Sequence, residues 1–99
     1  MHRTGLEAAL KRRFGGTPAE RRAVSRAAQD VADSARPSRD RGHAVTIPEI
    51  LSTLDEAPAD TSVVERWNWW MGALDIAYSG YEEFTVRFVD DDEEADIQR

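Results

Sequence analysis

Cysteine is absent from this 99-residue chain, and with it go disulfides, thiolate metal sites and cysteine nucleophiles. Lysine is nearly absent: Lys11 stands alone beside twelve arginines. No run approaches the roughly 18–20 apolar residues that a membrane span needs, and the N-terminus lacks the apolar stretch of a secretory signal. These absences predict a soluble cytoplasmic protein with no membrane partner. Catalytic signatures are equally scarce. Ser34, Ser38 and Ser52 sit in no nucleophile elbow. Gly15-Gly16-Thr17 lacks the Gly-x-x-x-x-Gly-Lys-Ser/Thr spacing of a phosphate loop and reads as a helix break. His2 and His43 are isolated, and one histidine without a second ligand at useful spacing does not make a metal site. The expectation is a non-enzymatic protein with no cofactor, no metal and no small-molecule ligand; a site around His43 is the least supported reading.

What the chain has in excess is carboxylate. Nineteen acids face thirteen bases for a net charge of −6. The sign is unevenly placed: residues 1–48 carry a net +5 and residues 49–99 a net −11. Carboxylate excess with almost no lysine is the composition of proteins from salt-in halophiles, although a GC-rich genome also favours arginine. Carboxylates stay well hydrated in concentrated salt, whereas lysine's long stem exposes apolar surface. A basic half beside an acidic half permits nucleic-acid binding by the first, or complementarity between the two within one fold. At molar salt the Debye length is about 3 Å, so attraction to phosphate over distance is largely lost.

Capping signals divide the chain. Leu6, Ala9, Leu10 and Phe14 share one face of a first helix over Thr4–Phe14. Thr17-Pro18-Ala19-Glu20 opens a second that runs to about Arg36, with a small-residue stripe of Val24, Ala27, Ala28, Val31 and Ala35 suited to a bulky partner helix. Arg36–Gly42 reads as a polar loop and His43–Ile47 as a short strand. Thr46–Glu49 opens a third helix, ending near Glu56, and Ser62–Glu65 a fourth. Glu83–Val89 alternates Phe84, Val86 and Phe88 against Thr85 and Arg87 and reads as the best strand. The expected class is α+β, mostly helical, with about four helices and two short strands in the order α-α-β-α-α-β. That order permits a winged-helix-like topology, but the helix that would enter the groove presents Glu65, Asp75 and Glu82 to phosphate. Residues 1–89 form one expected domain, followed by an acidic, disordered tail over 90–99.

The stretch Ser62–Tyr81 organises the rest. It holds all three tryptophans and both tyrosines. Glu65, Asn68, Asp75, Ser79 and Glu82, with Gly72 in the gap, form one narrow polar stripe, and the remainder is apolar apart from Arg66. Trp67, Trp70, Met71 and Leu74 have core spacing. Trp69 and Ile76 lie on the flank, with interface and core equally open for them. This composition and the stretch WNWWMGALDIAYSGYEEFTVRF resemble small uncharacterised haloarchaeal proteins, a likeness that brings no site residues with it.

The functional expectation is protein–protein association, as a homodimer or with another protein, through the tryptophan helix, with Trp69, Ile76 and Phe84 at the interface. The alternative is a nucleic-acid-binding or regulatory module using Arg21, Arg22 and Arg26 on the basic N-terminal helices. No aromatic is interleaved with those arginines for base stacking.

Overall fold

Hydroxyl caps set where the helices begin. In the computed structural model, which describes residues 3–89, α1 spans Arg3–Phe14 and α2 spans Pro18–Ser34. The Thr17 hydroxyl accepts from the Glu20 amide and the Glu20 carboxylate accepts from the Thr17 amide, a complete capping box. Ser62 and Glu65 repeat the arrangement ahead of α5, Val63–Tyr78. Thr46 caps α4, Ile47–Leu54, from one side only. There Glu49 is drawn away from the return bond by Arg41 and His43, which both reach its Oε2.

Among the described residues there is no strand and no sheet. The α+β class, its two strands and the winged-helix-like order are therefore corrected to an all-helical fold. Each error has a local cause. The segment read as a polar loop is α3, Arg36–Arg41. Pro37 stops α2 but is tolerated in the first turn of the next helix, where no amide is needed. Ala35, at φ 60°, makes the corner between α2 and α3. Gly42 then closes α3 and Thr46 caps α4, so Ile47 is already helical and too little chain remains between them for a strand. At the other end a 3₁₀ turn, Glu82–Phe84, takes up the first residues of the expected second strand. His2 and the tail 90–99 lie outside the described residues.

One core joins the elements. α2 packs on α1, on α5 and on the 3₁₀ turn, and α4 lies against α1 and α5. Leu6 and Leu10, Val24, Ala28 and Val31, Ile50 and Leu54 meet Trp67, Trp70, Met71 and Leu74. Small side chains on α2 admit the indoles opposite. Trp67 and Trp70 stack edge to face, 5.6 Å between centroids at 88°, a geometry worth about 1 kcal/mol beyond burial. Arg66 ties three elements together: its Nη1 donates to the Leu54 carbonyl at 2.9 Å, at the carbonyl end of α4, and its guanidinium lies 5.0 Å from the Phe14 ring.

Candidate functional site

Trp67, Asn68, Trp69 and Trp70 point four ways from α5, because successive residues turn 100° about a helix. Trp67 is fully buried and donates from Nε1 to the Phe84 carbonyl at 2.8 Å. Trp70 is buried against it, with the Arg41 guanidinium 6.0 Å from its ring. Asn68 grips Val86 twice: its Nδ2 donates to the Val86 carbonyl at 2.8 Å and its Oδ1 accepts from the Val86 amide at 2.7 Å. The carboxamide thus does for Val86 what a neighbouring strand would do. Trp69 alone faces out.

The polar stripe has an unexpected use. Asp75, two turns beyond Asn68, accepts from the amides of Tyr81 at 3.0 Å and Glu82 at 3.2 Å. Asn68 and Asp75 therefore anchor the returning chain. Nothing in the sequence marked them for that except their seven-residue spacing ahead of an alternating segment. The turn that brings the chain back is made at Gly80, whose φ of 87° lies in the left-handed region that glycine enters without strain. Ser79 beside it adopts φ 62°, ψ 157°, a region otherwise almost reserved for glycine. Tyr81 then seals the corner. Its buried hydroxyl donates to Asp40 at 2.9 Å, and its pKa is pushed up to about 12, first by burial and then by Asp40, against the opposing pull of Arg41 and Arg36.

Beyond the exposed Glu65 of its first turn, the outer flank of α5 is apolar. Trp69 is 40% exposed and Ile76 90%, and Ala73 and Ala77 are exposed on the same flank. Gly72 borders this flank, with open space where a side chain would be. Phe84, grouped with Trp69 and Ile76 on sequence grounds, is elsewhere. It is half-buried between Tyr81, 6.1 Å away, and Arg36, 6.0 Å away, on the side of α5 that Asn68 and Asp75 face. That side is about 100° round the helix from Trp69 and Ile76. The structure brings Trp69 and Ile76 together and leaves Phe84 out.

The basic residues have mixed roles. Arg21 donates to the carbonyls of Gly15 and Gly16 and so fastens the α1–α2 turn. Arg22 is engaged within the structure, and Arg26 is exposed on α2. His43 is exposed, 3.5 Å from a Glu49 carboxylate that Arg41 already neutralises, while Asp40 is committed to Tyr81. Among the described residues no cluster of three or more His, Cys, Asp or Glu could hold a metal ion, and no helix is long and apolar enough to cross a membrane.

No match was found among curated proteins or among solved structures. A family model, described as the WNWW domain, matches residues 1–75. Its four letters are the residues at 67–70 of this chain, and the matched region holds α1 to α4 and most of α5. The tetrad that clamps the returning chain and turns one indole outward thus lies in a protein that belongs to the WNWW domain family.

Proposed function

We propose that the protein is a non-enzymatic association module whose simplest form is a homodimer, formed through the outward flank of α5. The observation that carries this reading is the exposure of Ile76 and Trp69 on one uncharged stripe with Ala73 and Ala77. An apolar stripe on the outer face of a globular protein's central helix is unfavourable in water and marks a contact surface. The stripe suits a second helix: Trp69 supplies a bulky anchor, and Ala73 and Ala77 allow close approach. The setting we infer is a salt-rich haloarchaeal cytoplasm, supported by the carboxylate excess and the single lysine.

The test is the solution mass in concentrated potassium chloride by light scattering. The expected result is a dimer that Trp69→Ala weakens by about 2 kcal/mol or more, as loss of a buried aromatic anchor does. Ile76→Asp, which places a charge at the contact, is expected to leave a folded monomer. A wild-type monomer at high concentration, or self-association unchanged by both substitutions, overturns the reading. Nucleic-acid binding through Arg21, Arg22 and Arg26 ranks second. Arg26 supports it, but Arg21 is already held by two carbonyls. It predicts binding that weakens steeply with salt.

A further inference from the structure

Behind the 3₁₀ turn, Ala23, Arg26, Ala27 and Asp30 of α2 form one wall of a cleft of about 210 Å³, and residues 83–88 form the other. The cleft has a direction. Arg36 meets Glu83 at 3.1 Å and the Phe84 ring at 6.0 Å, so the segment enters beside the C-terminal end of α2. It then runs against that helix toward Ala23. Charge follows the same order. Asp30 and Glu83 stand at the entry, Arg26 lines the cleft beside the segment, and one turn further on Arg22 lies ahead of the chain as it reaches Val89. Beyond them, α1 ends in Lys11, Arg12 and Arg13. Arg26 forms no ion pair among the described residues.

The segment also has a free backbone edge. Val86 turns both its amide and its carbonyl toward Asn68. In extended chain the flanking residues turn theirs the opposite way, so the Thr85 carbonyl and both backbone groups of Arg87 face away from α5. Among the described residues none of these three has a backbone partner.

Past Val89 the sequence continues Asp-Asp-Asp-Glu-Glu-Ala-Asp, six carboxylates in seven residues. Extended, seven residues reach about 23 Å, enough to pass Arg22 and the start of α2 at Pro18, about 8 Å beyond Ala23 at 1.5 Å per residue. We infer that Asp90–Asp96 docks on its own chain along the basic N-terminal half of α2, anchored by Arg22 and Arg26. The occupant is set by position and charge: it starts where the cleft ends, and its tether holds it at a high effective concentration against a surface of opposite sign. The docked segment occupies the face that a phosphate chain would need, so any polyanion must displace it first.

The absence of cysteine makes the test clean, since Ala95→Cys takes one nitroxide spin label. In the ¹⁵N-labelled full chain, at the lowest salt that keeps a dispersed amide spectrum, the amides of Ala23 and Arg26 are expected to broaden. The effect should fall roughly twofold or more when Arg22→Gln and Arg26→Gln remove the attraction, and persist with Arg22→Lys and Arg26→Lys, which keep it. Equal broadening in all three chains means that the label reaches α2 only because it is tethered, and overturns the inference. Mixing spin-labelled chain lacking ¹⁵N with ¹⁵N chain lacking the label separates the remaining case. No broadening there agrees with docking within one chain, whereas broadening of α2 assigns the segment to a second copy and overturns it.

Discussion

At the residue scale, the corner from Ser79 to Tyr81 concentrates the least ordinary chemistry of the chain. Ser79 holds φ 62°, ψ 157°, where a side chain costs about 1–3 kcal/mol. Glycine adopts that conformation freely but loses more entropy on folding, about 0.5–1 kcal/mol. Ser79→Gly is therefore expected to stabilise the protein by about 1 kcal/mol, read as a higher denaturation midpoint in urea. Tyr81 gives a pH prediction. Its folded pKa of about 12 lies above the ordinary value of 10.0, so the neutral hydroxyl is favoured by folding. That stabilisation is complete below pH 10 and is lost as pH rises through 12. The shift corresponds to about 3 kcal/mol. Wild type should lose that much across this window in denaturation series, and Tyr81→Phe should remove this component of the alkaline loss.

At the element scale, the segment 84–86 shows how a strand-like sequence is held without a sheet. Its alternation is real, but alternation specifies only two faces, and the partner is left open. Here α5 is the partner, through Trp67 Nε1 on Phe84 and the Asn68 carboxamide on Val86. Asn68→Ala removes two hydrogen bonds and is expected to cost about 2 kcal/mol. Amide exchange of Val86 should rise by at least the corresponding factor; protection unchanged from wild type would contradict the clamp. The capped starts of α2, α4 and α5 were legible because a hydroxyl three residues before a glutamate satisfies backbone groups locally. α3 was not legible: Pro37 reads as a breaker until it is known that a helix begins one residue earlier. The core stripe of α5 was legible from its spacing, and so was the flank position of Trp69 and Ile76. The displacement of Phe84 was not, since it depends on which side of α5 the chain returns.

At the scale of the whole molecule, α5 is enclosed on its core face, anchored to the returning chain on its polar side, and open on its apolar flank. Gly72 borders that flank and contacts nothing that a methyl group would disturb. Within one chain, Gly72→Ala is expected to stabilise by up to about 1 kcal/mol through helix propensity alone. If two α5 helices pack closely, the same methyl intrudes between them. The expected pattern is a more stable fold together with weaker self-association, measured by urea denaturation of dilute protein and by light scattering. Stabilisation with no change in association would place the contact away from Gly72.

Sequence by itself determined the capped starts of α2, α4 and α5, the core stripes of α1 and α5, that of α2 as far as Val31 but not the exposed Ala35, and the charge asymmetry, because each is a matter of spacing along the chain or of composition. Only the tertiary structure decided that the polar stripe of α5 grips backbone while its apolar flank meets water. Which face of a helix is covered depends on where distant segments return, here through the Ser79–Tyr81 turn and the Asn68–Val86 clamp, and no local pattern encodes that path.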